Sequence, residues 1–365
     1  MSALPKMLRT SLTDALGIDH PVVLAGMAKV ANPRLAAAVS NAGGLGVIGG
    51  VMKTPAVLSR EIEEIKSLLS PGHERQFGVD LLLPQVGGSA RKTNSDYTRG
   101  KLSELIDIIV KAQPVLFVSA VGVPPKWVID RLHAADILVM NMVGLPRHAT
   151  KAIQSGCDLI CAQGYEAGGH TGEVATSVLV PQVVDLCKGC RSPLKPSMPV
   201  LVIAAGGIYD GRGLAAALSW GASGVWVGTR FICAEESGAP EIHRRAVLSS
   251  SSENTLRTTL YTGRPCRVMK DSYNTVWERD RKEEMEKLEK AGIIVFKHEY
   301  KLAKKEGRKF NLASRFPQYI GQAAGAVHEV QPAREIVGEI IQQAACIIRE
   351  NAKLLLSAPT ISSAL

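Results

Sequence analysis

Eight short apolar runs, each followed by a helical pattern or by a loop long enough to hold a helix, constrain the fold of this chain more than any other feature. The runs lie at residues 20–25, 45–48, 77–83, 115–120, 137–142, 159–162, 200–204 and 224–227. They are near-continuous apolar runs and do not alternate regularly with polar residues, so each predicted strand is expected to be buried on both faces, as in a parallel sheet.

The segments between the runs carry helix signals. Asn32 precedes a helix predicted over 33–41, and Thr54 precedes one predicted over 55–69, each as an N-cap. Further helices are predicted at 101–111, 125–133, 146–154 and 211–220. Strict alternation of eight strands and helices predicts an α/β protein with a closed (β/α)8, or TIM, barrel. An open doubly wound sheet is the alternative, but its Gly-x-Gly-x-x-Gly turn is missing after the first strand.

The pattern changes after Arg230. Residues 235–267 are rich in Ser, Thr and Arg, and 278–305 form a charged helical pattern that is broken at Gly292. An amphipathic helix is predicted over 332–355.

These changes predict the domain organisation. We expect one barrel built from residues 1–231 together with 321–365, the latter carrying the C-terminal helix. Residues 232–320 are then a helical and loop insertion after the eighth strand, covering one face of the barrel.

The net charge of +9 does not predict a nucleic-acid partner. Residues 281–309 hold ten Lys or Arg and six Glu, which is typical of a solvated helical face and not of a basic arm. An anionic ligand such as a phosphate accounts for the modest excess equally well. Since no stretch is apolar over a membrane-spanning length, a membrane partner is not expected either.

The seven cysteines include one Cys-x-x-Cys pair, Cys187 and Cys190, with no second pair or His at metal-ligand spacing. No metal site is therefore predicted, and reduced thiols are expected. A cytoplasmic location is favoured. Ser363–Leu365 is similar to a peroxisomal signal but lacks its basic middle residue, which leaves the peroxisome as the alternative.

A histidine follows two glycines after the sixth predicted strand. Gly168 and Gly169 allow the backbone to approach a ligand closely, and His170 comes next. In a barrel, the carboxyl end of a strand is where catalytic residues lie. We therefore predict that His170 is a general base, with a structural histidine as the alternative.

Two further glycine turns end the seventh and eighth predicted strands, at Gly206-Gly207 and Gly228-Thr229. Loops at these positions commonly bind phosphate in (β/α)8 barrels. The alternative is that the glycines only permit tight turns.

Six motifs together resemble the nitronate monooxygenase family, formerly called 2-nitropropane dioxygenases, whose members are FMN-dependent (β/α)8 barrels. The resemblance covers about residues 20–329. The motifs are Ala36–Gly46, Gln163–His170, Ala204–Ile208, Val227–Phe231, Tyr261–Pro265 and Gly321–Gly325.

The resemblance implies roles for individual residues. His170 matches the catalytic base of the family. The residues implied to bind FMN, through its ring or its phosphate, are Gly26, Met27, Asp80, Gln163, Gly168, Gly169, Gly206, Gly207, Trp226, Val227, Gly228 and Thr229.

Two of these positions depart from the family pattern. Gly26 stands where Pro is usual, and Asp80 stands where Asn is usual. A carboxylate can accept a hydrogen bond from flavin N3–H, but it cannot donate one as an amide can. If Asp80 is ionised beside the flavin, its charge should lower the reduction potential.

The resemblance implies an enzyme that uses FMN and O2 to oxidise alkyl nitronates, and in addition nitroalkanes, to carbonyl compounds and nitrite. The partners expected are a small-molecule substrate and O2, and a homodimer is left open. Three alternatives stay open: an FMN-dependent enoyl reductase, a specialised biosynthetic flavin oxidase, and a barrel that binds a phosphate ligand without redox activity.

Overall fold

Eight parallel strands form a closed barrel in the computed structural model, which describes residues 4–355. Eleven strands occur in these residues: β1 Val22–Leu24, β2 Gly46–Gly49, β3 Phe77–Leu82, β4 Leu116–Ala120, β5 Leu138–Val143, β6 Leu159–Gln163, β7 Gly169–His170, β8 Leu201–Ala205, β9 Gly224–Val227, β10 Thr255–Thr258 and β11 Cys266–Met269. The barrel order is β1-β9-β8-β6-β5-β4-β3-β2, and a bridge between Val23 and Leu45 closes the ring. The predicted (β/α)8 barrel is confirmed.

Helices connect the strands and surround the barrel. They are α1 Ser11–Leu16, α2 Pro33–Asn41, α3 Pro55–Leu68, α4 Leu102–Ala112, α5 Lys126–Ala134, α6 Pro146–Ser155, α7 Thr176–Cys187, α8 Gly211–Ser219, α9 Thr229–Ile232, α10 Glu241–Leu248, α11 Ser272–Arg279, α12 Lys282–Lys290, α13 Val295–Lys305, α14 Leu312–Arg315 and α15 Ala333–Ala352, with a 3₁₀ turn at Gln322–Ala326. The Asn32 and Thr54 side chains cap α2 and α3 as predicted. No helix between residues 4 and 355 combines the length and apolarity needed to cross a membrane.

Alternate residues of the barrel strands point inward and fill the barrel. Val23, Val118, Cys161 and Ile203 belong to this inner cluster and are fully buried. The remaining strand residues pack outward against the helices. Because the interior is filled by side chains, ligand space is expected at the end where the carboxyl ends of the strands lie, which we call the mouth.

The Ala36–Gly46 motif serves packing of α2 against β2. A Cβ atom on Gly46 would lie 1.9 Å from the carbonyl oxygen of Ala36. The Ser40 hydroxyl accepts a hydrogen bond from the Gly46 N–H at 2.9 Å. Any larger residue at position 46 would force the helix away from the strand.

A second, three-stranded antiparallel sheet lies outside the barrel, in the order β10-β11-β7. His170 of β7 pairs with Cys266 of β11, so the segment after the eighth barrel strand is joined to the loop after β6. Sequence patterns did not predict these strands. Gly292, with φ +81°, separates α12 from α13 where the break was expected. The proposed division into domains stays a prediction.

Candidate active site

His170 is held by a hydrogen bond to a residue far away in sequence. Its Nε2 lies 3.2 Å from Thr262 Oγ1, and that hydroxyl lies 3.1 Å from the carbonyl oxygen of Arg264. Because a carbonyl only accepts, the Thr262 hydroxyl donates to it and can accept from the ring N–H of His170. This network assigns the proton to Nε2 and leaves the lone pair on Nδ1.

Burial lowers the pKa of His170 to about 4, and the nearby positive charge of Arg264 acts in the same direction. The imidazole is therefore neutral at pH 7. A neutral ring with a free lone pair is the form that can accept a proton or a hydrogen bond.

Arg264 is fixed beside His170 by loops that follow two other strands. Its guanidinium donates to Asn94 Oδ1 at 2.8 Å and to the carbonyl oxygen of Val121 at 3.1 Å. Val121 has φ +71°, a conformation that costs a β-branched residue on the order of 1–3 kcal/mol. The strained backbone directs a carbonyl group to the arginine, which places a cation at the mouth.

The loop between β6 and β7 is shaped by Gln163 and two glycines. Gln163 Nε2 donates to the carbonyl oxygen of His170 at 2.7 Å, which closes the loop. Gly169 has φ +71°, and a Cβ atom there would meet no atom within 4 Å. The space beside Gly169 is therefore open to a ligand.

The turn after β8 has two glycines in the left-handed region, Gly206 at φ +100° and Gly207 at φ +71°. A Cβ atom on Gly206 would lie 2.9 Å from Thr176 Oγ1, and that hydroxyl oxygen lies 3.0 Å from the Gly206 carbonyl oxygen. The Glu166 carboxylate in turn accepts from the N–H and hydroxyl of Thr176. Thr176, itself held by Glu166, therefore packs against the backbone of this turn and leaves no room for a side chain at position 206.

The Gly321–Gly325 motif completes the neighbouring turn after β9. Thr229 Oγ1 accepts a hydrogen bond from the Gly321 N–H at 3.0 Å. Gly321 also packs on Gly168, where a Cβ atom would lie 2.7 Å from the Gly321 nitrogen. Three separate motifs therefore meet at one place.

Helix α8, in contrast, has its N-terminal amides occupied. The Asp210 carboxylate accepts from the N–H groups of Arg212 and Gly213, and Gln343 accepts from that of Gly211 at 2.8 Å. A phosphate site at the mouth is therefore better formed by the glycine turns after β8 and β9 than by this helix.

Asp80 lies on β3, 2% exposed, and its Oδ1 has no hydrogen-bond partner among residues 4–355. Burial raises the pKa of this carboxyl to about 8. A Cβ atom on Gly26 would lie 2.5 Å from Asp80 Cβ and from Oδ2. The two departures from the family pattern are thus in direct contact.

The structure brings the predicted site residues to the carboxyl ends of β1, β3, β6, β8 and β9. Met27 follows β1, and its Sδ lies 3.7 Å from where a Cβ atom on Gly228 would be. Trp226, on β9, belongs to the inner cluster of the barrel. An orphaned carboxyl oxygen, open glycine turns and a neutral histidine at one mouth fit a bound flavin with its phosphate.

Sequence analysis missed Thr262, Arg264 and the contact of Gly321 with Thr229. These residues lie inside the Tyr261–Pro265 and Gly321–Gly325 motifs, which carried the resemblance without any role assigned. The motifs were the available signal. The sequence does not show which of their residues face His170, because His170 and Thr262 are 92 residues apart in the chain.

Comparison with known proteins gives concordant matches. The family model described as nitronate monooxygenase matches residues 9–343. A protein of Staphylococcus aureus classed as a nitronate monooxygenase is 34% identical over 296 residues, 73% of this chain and 79% of its own. The solved structure of nitroalkane oxidase from Streptomyces ansochromogenes has a TM-score of 0.74 and 26% identity, covering 94% of this chain and all of that one.

A different activity is named for another relative. The (3aS,4S,5R,7aS)-5-hydroxy-7a-methyl-1-oxo-octahydro-1H-indene-4-carboxyl-CoA dehydrogenase of Rhodococcus jostii is 37% identical over 262 residues, which is 72% of this chain and 66% of its own. The barrel fold, the residues at its mouth and the family match all indicate the same class of enzyme. The chain belongs to the nitronate monooxygenase family and is a flavin-dependent oxidoreductase.

Proposed function

We propose that the protein uses FMN and O2 to oxidise alkyl nitronates to carbonyl compounds and nitrite. The observation that carries this proposal is the neutral His170, held through Nε2 by Thr262 beside the open glycine turns. The family match and the named nitronate and nitroalkane relatives support the substrate class.

The residues that would hold FMN fall into two groups. Gly206, Gly207, Gly228 and Thr229 would bind the phosphate, whose single anionic group suits two adjacent turns. The ring would lie among Gly26, Met27, Asp80, Gln163, Gly168 and Gly169. When bound, the flavin supplies the electron acceptor and the reaction with O2.

The low pKa of His170 favours nitronates over neutral nitroalkanes. A general base works best when its pKa lies near the working pH, and a group with a pKa of about 4 is a weak base at pH 7. A nitronate arrives already deprotonated and needs no proton removed. His170 can then hold the bound anion as a hydrogen-bond donor, since an adjacent negative charge raises the pKa of the imidazole.

Two measurements test this proposal. Heat release of the cofactor followed by chromatography should identify FMN, and FAD or a colourless protein after reconstitution with FMN would contradict it. Anaerobic mixing with ethyl nitronate should bleach the flavin in the first turnover, and admitted O2 should restore the colour with release of nitrite. Bleaching by NADPH but not by the nitronate would instead favour the reductase alternative.

A second candidate is oxidoreduction of an acyl-CoA thioester. A cavity of about 600 Å³ lies next to the Thr262 turn and is lined by Ala90, Arg91, Lys92, Thr93, Gly263, Glu286, Glu289 and Lys290. This space exceeds what a short nitronate needs, and its three cations outnumber its two carboxylates, which leaves a net positive charge for the phosphates of CoA. The named dehydrogenase of Rhodococcus jostii supports the same class.

The two candidate functions differ in the role of this cavity, which binds CoA in the second and has no part in the first. Arg91→Ala should raise KM for an acyl-CoA but leave the reaction with ethyl nitronate unchanged. Val178→Ala, at an exposed position on α7, serves as the matched surface control. Equal turnover of an acyl-CoA by both variants would dismiss the second candidate.

A further inference from the structure

Asp80 is a buried carboxyl without the partners that such a group normally has. Its neighbours across the sheet are Gly49 on β2 and Val118 on β4, neither of which has a polar side chain. Burial raises the pKa of the Cys161 thiol on β6, and the charge of Asp80 would raise it further. An ionised carboxylate here would be unpaired, which is strongly unfavourable in a dry interior.

Gly26 lies directly against the Asp80 side chain. A Cβ atom at position 26 would lie 2.5 Å from Asp80 Cβ, a distance that real Cβ atoms do not adopt. Only glycine therefore lets the turn after β1 lie directly on the Asp80 side chain. With the turn in this place, Asp80 is only 2% exposed.

We propose that Asp80 acts as a neutral carboxylic acid that donates a hydrogen bond to the bound flavin, and that Gly26 maintains this state by covering the carboxyl. The inference rests on the proposed flavin site. It reverses the expectation of an ionised Asp80, and it makes Asp80 a positioning residue that also tunes the redox potential.

A neutral acid and a carboxylate affect the flavin oppositely. The acid has an O–H group that can donate to a ring carbonyl or nitrogen, and a carboxylate can only accept. Reduction adds electron density to the ring, so a donor stabilises the reduced form and a negative charge destabilises it. Because the pKa of Asp80 is raised to about 8, it should ionise at mildly alkaline pH. The reduction potential should then fall.

The test measures the midpoint potential of the FMN-loaded protein from about pH 6 to about pH 10. Wild type should show a break in the slope on the alkaline side of neutrality. Asp80→Asn should lack this alkaline break, and at pH 7 its potential should stay close to that of wild type, because an amide also donates. Cys161→Ala is the matched control, and it should retain the break. A break that persists in Asp80→Asn would overturn the inference, as would a higher potential for that variant at pH 7.

A direct measurement keeps the inference testable if the flavin assignment fails. Carbon-13 NMR of labelled aspartate carboxyls, with Asp80→Asn used to assign the signal, reports the titration of Asp80 in the protein as purified and after FMN loading. A titration above neutrality supports the neutral acid, and one in the ordinary acidic range refutes it. Gly26→Ala should move the turn outward, admit water and lower the pKa of Asp80. An unchanged pKa in a folded Gly26→Ala protein would show that Gly26 has no part in it.

Discussion

The two ends of the barrel each bury an aspartate, and the two aspartates have opposite surroundings. Asp158, just before β6, accepts hydrogen bonds from His133 at 2.8 Å, Ser192 at 2.6 Å and two backbone N–H groups. Burial alone would raise the pKa of Asp158, but these bonds bring it below the ordinary value. Asp80, at the mouth, has no partner for Oδ1 in the described part of the chain, and its pKa is raised.

The contrast separates structure from function. A buried carboxyl with all its acceptor capacity used joins parts of the fold together, here β5, β6 and the segment before β8. One left without partners costs stability and is retained where a ligand supplies the missing bond. The exposed fraction alone does not distinguish the two residues, since both are buried.

The largest expected effect is on folding stability. Asp158→Ala should lower the free energy of unfolding by about 3–5 kcal/mol, because several donors lose a shared buried acceptor. Asp80→Asn should change it by less than about 1 kcal/mol, since no bond is lost. Urea unfolding of the two variants measures both. Similar losses would break the distinction between the two ends.

At the mouth, we expect substitution of His170 to change activity and not stability at neutral pH. With a neutral nitroalkane, His170→Asn should lower the rate by about 10²-fold, the lower end of the usual contribution of a general base, because the α-proton must be removed and a group with a pKa of about 4 is a weak base. With preformed nitronate the loss should be much smaller. FMN content and melting temperature should stay near wild type, which excludes a structural role. Equal losses on both substrates would show that His170 only binds the anion.

Acid should affect the two ends in a definite order. The folded pKa of His170 is about 4, below the unfolded value of ~6.5, so the unfolded chain binds the extra proton between these values. Stability should therefore fall, by up to about 3 kcal/mol, as the pH drops from 6.5 to 4. Asp158 contributes stability above its unfolded pKa of ~3.9, and this is lost only at lower pH.

Denaturation of wild type and His170→Asn at a series of pH values separates these contributions. The variant should lose less stability between pH 6.5 and 4, and both proteins should weaken alike below that range. His20, buried and with a lowered pKa, contributes to the same window in both proteins. Parallel curves throughout would mean that His170 does not titrate with folding.

The smallest expected effect comes from the hydrogen bond to His170. Thr262→Val removes the acceptor for Nε2–H and should lower the rate with nitroalkane about three- to tenfold, the value of one ordinary hydrogen bond. Thr262→Ser should restore it. The pH profile of kcat/KM should shift in the valine variant only. A valine variant with the wild-type profile would mean that the bond does not fix the tautomer.

The barrel was predictable from the sequence because local patterns determine it. Each barrel strand is a near-continuous apolar run, and Asn32 and Thr54 begin their helices where capping rules place them. The outer sheet was not predictable. Strand β7 has only two residues, and β10 and β11 carry Arg257 and Arg267 inside a polar segment, so neither apolar periodicity nor length reveals them.

The site was predictable only in part. Glycine turns and His170 follow strand ends, so their positions could be read from the order of elements. The protonation of Asp80 could not, because it depends on how closely Gly26 approaches, a fact of three-dimensional packing. The partner of His170 lies 92 residues away in a segment with no regular pattern.

The bond between Thr229 and Gly321 has a consequence for biosynthesis. All eight barrel strands are translated by residue 227, but Gly321 emerges 92 residues after Thr229, roughly 5–20 s later at ordinary rates of synthesis. A nascent chain therefore holds all eight barrel strands well before the turn after β9 is complete. On the proposed assignment of the phosphate to these turns, flavin capture is then a late event in maturation, and a product that stops short of residue 321 would lack one side of the site.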